Sequence, residues 1–216
     1  MGNMILTSHG HLILSGRYAV LRGLIFLSLI TIFAGQAAAD QSINFLYHPT
    51  GLGKGGSGDL YLGQNIHPLA GRPSVEWIIG QTKNRSGEKT GNIVSARPPV
   101  DTVMEAFSEE FKAAGYNVIP VEVLPEGVAK GIRLTTVSIR VEKIDLIYKV
   151  VSKCTVKVSL EPWLKGRPLK RLDYESYQED STFINRDMIL LKSEQDALQQ
   201  LIVRAVREAI VLLEGK

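Results

Sequence analysis

Apolar residues recur along this chain with two distinct periods. Between residues 132 and 178 the period is two. Val137, Ile139 and Val141 alternate with polar neighbours, and so do Cys154, Val156, Val158 and Leu160. Such alternation makes a strand with one face buried and one face wet. Lys165-Gly166-Arg167-Pro168 is a turn signal, and Leu172-Asp173-Tyr174-Glu175-Ser176 resumes the pattern. An antiparallel meander is therefore expected over 132–178.

Elsewhere the period is three and four. Val100, Val103, Met104, Phe107, Phe111 and Ala114 draw one apolar helical stripe. Pro99 suits its first turn, and Gly115 suits the left-handed position just past its end. A second helix is expected near the C-terminus, with Ser193 as N-cap and Asp196 three residues on. Its core stripe is Leu198, Leu201, Ile202, Ala205, Ala209 and Leu212. Val203, Val206 and Ile210 widen the apolar face beyond a single contact surface. They are candidate partner contacts, and deep burial of the helix in its own domain is the competing reading.

Shorter strands are expected at Ile43–Tyr47, Leu60–Leu62, 75–80 and from Tyr116, the last interrupted by Pro120 and Pro125. Residues 81–99 read as a long exposed loop or an irregular hairpin. Strands, helix, strands and helix in that order predict an α+β domain: a largely antiparallel sheet with two amphipathic helices packed on one face. One domain is expected over 40–216, with 40–74 as a Gly/Pro-rich N-terminal segment.

Residues 1–39 change the picture of where the chain works. They hold Arg17 and Arg22 and no acid, then the apolar run Leu24–Phe33, then Ala37-Ala38-Ala39. That order is a cleavable signal sequence, cut between Ala39 and Asp40. The run is shorter than the roughly 20 apolar residues that span a bilayer. The chain is expected to be exported, released by cleavage and periplasmic. Removing the leader leaves 23 basic against 22 acidic residues, so charge offers no case for nucleic acid. The one cysteine, Cys154, lies in the meander, which excludes an intramolecular disulfide and reads as a small buried residue.

Candidate chemistry is thin. Gly51, Gly53 and Gly56 spell G-x-G-x-x-G, but no helical stripe follows, so a connector is favoured over a nucleotide-binding loop. His48 and His67 each stand near a proline, apart from any acidic or cysteine cluster. Glu109–Glu110 and Glu179–Asp180 are placed on a solvated helix face and in a loop. No catalytic residue, cofactor or metal is assigned, and no enzyme is expected. Lys165, Arg167, Lys170 and Arg171 form the densest basic group. It is a candidate contact for a partner's acidic patch or anionic head groups, with a solvated hairpin tip as the plainer alternative.

Three stretches carry a family resemblance: Trp77-Ile78-Ile79-Gly80-Gln81-Thr82-Lys83-Asn84-Arg85, Phe111-Lys112-Ala113-Ala114-Gly115-Tyr116-Asn117-Val118, and the meander with its closing helix at 193–213. Together they resemble the small envelope lipoproteins of Gram-negative bacteria, the YajG-type group. Gln36 stands where those leaders carry the lipidated cysteine, so a non-lipidated form is expected. The resemblance implies a non-enzymatic binding or accessory protein of an envelope assembly or transport system, with an envelope protein as partner and peripheral membrane contact through the folded surface. Two other readings remain at this level. One is a carrier for a lipid or other apolar ligand; the other is a nucleotide-binding enzyme built on the 51–58 loop.

Overall fold

The alternating stretch builds the two longest strands of a curled, mixed sheet. The computed structural model describes residues 40–45, 47–64, 77–184 and 188–215. The leader, Ala39 and His67 lie outside them. In chain order the elements are β1 (Gln41–Ile43), β2 (Asp59–Gln64), β3 (Trp77–Lys83), β4 (Lys89–Ser95), α1 (Pro99–Ala114), β5 (Asn117–Val121), β6 (Lys130–Asp145), β7 (Val150–Leu164), β8 (Arg167–Pro168), β9 (Leu172–Thr182) and α2 (Met188–Glu214).

The expected meander is present: β6, β7 and β9 pair antiparallel in sequence order. The larger expectation of a largely antiparallel sheet is corrected. On its other edge β6 pairs parallel with β2 over Gly131–Leu134 and parallel with β3 over Val141–Ile144. β5 joins β2 and β1 joins β4, again in parallel. The physical reason is that period-two alternation reports which face of a strand is buried, not the direction of its neighbour. The crossover through α1 returns the chain to β2 as a parallel strand.

Thr135 is an extra residue in β6, since Leu134 faces Leu160 and Thr136 faces Ser159. Buried positions accordingly change parity there, from Ile132 and Leu134 to Ile139 and Val141. A bulge bends a long strand and increases its twist, which lets this pair of strands curl. A second irregularity in β3 falls between Ile78 and Gly80. A side chain at Gly80 would overlap the carbonyl of Val141, so only glycine admits the close approach of β3 to β6. Residues 81–99 resolve into the β3–β4 hairpin, whose turn Asn84 organises by accepting from the backbone of Ser86 and Glu88.

α1 starts at Pro99 and ends at a left-handed Gly115 (φ 109°), as its sequence dictates. α2 starts earlier than expected. Ser193 is not its N-cap: it is fully buried inside the helix, 2.5 Å from the hydroxyl of Ser152 on β7. Both helices pack on the same face of the sheet, and Phe107, Phe111, Leu198 and Ile202 fill the layer between them and Leu60, Leu62, Ile132, Leu134 and Leu160.

Candidate functional site

The glycine loop is structural. Gly56 donates its backbone N–H to Ala114 at the end of α1, and its missing side chain makes room for the Tyr116 ring. A side-chain carbon at Gly53 would lie 3.2 Å from Val206 and 3.5 Å from Ile210 on α2. The tyrosine hydroxyl donates to Glu214 at 2.7 Å, and Lys130 bridges Glu214 and the Ser57 carbonyl at 2.7 and 2.9 Å. The loop thus straps the C-terminal ends of both helices to β6. Instead of a helix N-terminus for a pyrophosphate, β2 follows it.

That strap also covers the wide apolar face of α2. Val206 and Ile210 are buried in the chain's own core and are not free partner contacts. Val203 stands half-buried in a surface groove of about 600 Å³ with Leu52, Arg204, Arg207 and Val211. The four basic residues are all exposed near one end of the sheet. Lys165 and Arg167 flank the turn after β7, where Lys165 adopts a left-handed φ of 51°. Lys170 and Arg171 precede β9. Arg171 is held by Asp173 and Ser159 at 3.0 Å each. The Ser159 hydroxyl, then this guanidinium, hold the Asp173 carboxyl below its usual range. Asp40, on the far side of the expected cleavage bond, is exposed and accepts from the Asn92 backbone at 2.9 Å.

Beside the basic turn lies a cavity that the sequence did not announce. Residues 122–127, after β5, fold back over the outer face of the sheet and seat Leu124 between Gly63 and Gly131. The cavity they enclose is about 470 Å³, lined among others by Gln64, Glu122, Arg133, Trp163 and Gly166. Turn and loop touch closely: Gly166 donates to the Val128 carbonyl at 2.8 Å, and a side chain on Gly166 would reach Gly127 at 2.9 Å. The Arg133 guanidinium lies 5.0 Å above the Trp163 ring, and one of its terminal nitrogens donates to Glu161 at 2.6 Å. Gln64 Oε1, Arg133 Nε and Trp163 Nε1 are buried with no hydrogen-bond partner among the described residues. A concave site of this size, walled by an aromatic ring, a guanidinium and apolar side chains, is a candidate binding site. One signal was legible. Leu160 and Pro162 point into the core, which puts Trp163 on the outer face, where a large aromatic needs a partner.

Glu109 and Glu110 are not alike. Glu109 forms a salt bridge with Lys112 on the surface, whereas Glu110 is fully buried beneath the N-terminal segment. Among the described residues no group of three His, Cys, Asp or Glu side chains is placed to hold a metal ion. No described helix is long and apolar enough to cross a membrane.

The sequence matches no protein-family model and no curated protein. Solved structures similar to it include a DUF330-family protein from Xanthomonas campestris (TM-score 0.41, 8% identity, covering 82% of this chain and 96% of that one). A minor lipoprotein from Acinetobacter baumannii is similar at a TM-score of 0.34 and 9% identity, over 73% and 90% of the two chains. Rare lipoprotein B from Shewanella oneidensis is similar at 0.27 and 12%, over 63% and 90%. Likenesses at these scores carry no assignment of function.

Proposed function

We propose that this chain is a non-enzymatic protein of the Gram-negative cell envelope, exported to the periplasm and released by cleavage before Asp40, that works by binding a protein partner of an assembly or transport system. The YajG-type resemblance belongs to this proposal. The observation that carries the binding role is the cavity beneath residues 122–127, walled by Arg133 and Trp163 beside the exposed Lys165–Arg167 turn. A photo-crosslinking residue in place of Val123, which is 81% exposed at the cavity wall, tests it in the native envelope. A discrete adduct of higher mass is expected. Recovery of the chain alone, with a crosslinker elsewhere equally silent, defeats the reading. N-terminal sequencing of the periplasmic form should begin at Asp40.

The carrier reading rests on the groove where Leu52, Val203 and Val211 adjoin Arg204 and Arg207. It lies on the outer side of α2, since the layer between helices and sheet is filled by core side chains. Native mass spectrometry of protein from its own host showing no co-purifying amphiphile ends this second reading.

A further inference from the structure

The groove on the outer side of α2 carries a charge pattern as well as an apolar one. Leu52 and Val211 are 57% and 52% exposed, and both line this groove together with Val203. Two guanidiniums, Arg204 and Arg207, stand exposed in the same lining against a single acid, Glu208. We propose that the groove holds one free molecule of a single-chain anionic amphiphile. Its carboxylate or phosphate head lies between Arg204 and Arg207, and its alkyl chain covers Leu52, Val203 and Val211. This rests on the carrier reading above and adds the charge and chain number of the cargo.

Tyr174 on β9 arranges the charges. Its ring lies 5.0 Å from the Arg204 guanidinium carbon, and its hydroxyl donates to Glu208 at 2.7 Å. The acid is thereby engaged from the β9 side, and the guanidinium rests on a supporting face before anything binds. Such preorganisation limits the ordering cost of association. Arg204 and Arg207 sit one helical turn apart, and their forked N–H groups suit the paired oxygens of a carboxylate or phosphate. A cationic head would be repelled by two like charges, and a neutral head would gain nothing from them. Val203 and Val211 are two turns apart, roughly 12 Å along α2, a reach that an extended decyl chain matches. The volume of about 600 Å³ is that of a small-ligand site. Three apolar side chains are too few for the core of a stable protein interface, which buries roughly 800 Å² on each partner. An alkyl chain also brings no backbone N–H or C=O that the groove would have to satisfy, as a peptide would.

The test titrates the whole protein, purified from its own host and stripped of amphiphile on a hydrophobic resin, by isothermal calorimetry below each probe's micelle concentration. Decyl phosphate and decanoate should bind saturably, one molecule per chain. Octyl phosphate should bind about tenfold more weakly, the worth of two buried methylenes. Arg207→Gln should weaken decyl phosphate about tenfold, the worth of a charge-assisted hydrogen bond, and leave decanol unchanged. Val203→Gln should weaken decyl phosphate and decanol alike. Thermal unfolding of each variant establishes that it is folded. Undiminished decyl phosphate binding in both Arg204→Gln and Arg207→Gln, or tighter binding of decyltrimethylammonium, would overturn the anionic head. Equal affinity for octyl and decyl phosphate would overturn the seated chain. Cosedimentation with phosphatidylglycerol vesicles without binding of the monomeric probes would overturn the proposal in favour of a bilayer surface. A crosslink from Val211 to a protein that decyl phosphate does not displace would overturn it in favour of a protein partner. A neutral amphiphile co-purifying in native mass spectrometry, with no binding of decyl phosphate, would leave the carrier reading standing and remove only the anionic cargo.

Discussion

The hydroxyl of Tyr47 donates to the buried carboxylate of Glu110 at 2.9 Å, joining residues 63 apart in sequence. Thr50 completes the cradle, donating from its backbone N–H at 2.8 Å and its hydroxyl at 2.6 Å. The N-terminal segment is thereby locked onto α1 by a single acid. Glu110→Ala leaves a buried hydroxyl and an amide without an acceptor, and should destabilise the chain by about 2–3 kcal/mol. Tyr47→Phe, which removes one of the three bonds, should cost about 1 kcal/mol. Urea unfolding measures both, and values within 0.5 kcal/mol of zero for Glu110→Ala would refute the cradle.

The strap formed by the glycine loop makes a separate prediction. Gly56→Ala should drive a methyl group into the Tyr116 ring and cost about 2 kcal/mol or more through overpacking. Gly53→Ala meets Val206 at 3.2 Å and should be milder. A nucleotide-binding loop would instead lose ligand affinity with stability intact. Thermal unfolding beside equilibrium dialysis with NAD and ATP separates the two, and measurable nucleotide binding that Gly56→Ala abolishes would reverse the assignment.

Local pattern made α1 legible, because Pro99, the stripe and Gly115 all point to the same boundaries. Glu110 departs from the sequence expectation: its charge points to solvent, whereas its spacing from Phe107 and Ala114 puts it on the buried face. Ser193 failed for a related reason. A serine beside an acidic residue resembles a cap, whereas here it takes a core position by bonding Ser152 across to β7. In the sequence Val206 and Ile210 read as apolar surface in excess of one contact, and what covers them comes from residue 53, about 150 positions away. The parallel edges of β6 and the Trp163 cavity arise from such long-range pairing, which alternation cannot encode. The change of parity at Thr135 was visible in the sequence and marks the bulge.

Glu194 predicts how stability varies with pH. It occupies a core position of α2, 3% exposed, with Oε2 unpartnered among the described residues. Burial pushes its carboxyl up to about 7. In the unfolded chain the group titrates at an ordinary carboxylate value, so its favourable contribution is fully present below that value. The contribution is lost as pH rises through the folded value of about 7. Wild type should therefore lose about 2–3 kcal/mol between pH 4.5 and pH 8 from this group alone. Glu194→Gln should remove that slope and be the more stable protein at pH 8. Chemical denaturation at the two pH values checks it, and parallel profiles for the two proteins would show that Glu194 is solvated or paired.

Cys154 extends the same argument to reactivity. Its sulfur is fully buried on β7, and burial raises the thiol well above its usual range, with the nearby Glu194 carboxylate adding to the effect. The thiolate is the reactive form, so a thiol that is both enclosed and protonated should be inert in the folded chain. Labelling by a disulfide reagent at pH 8 should then proceed only through unfolding, at least about 1000-fold slower than in urea, given ordinary domain stability of 5 kcal/mol or more. Glu194→Gln should slow native-state labelling further, because it stabilises the fold at that pH. Rapid labelling without denaturant, unaffected by Glu194→Gln, would mean that Cys154 is reachable from solvent and would make its thiol a candidate functional group.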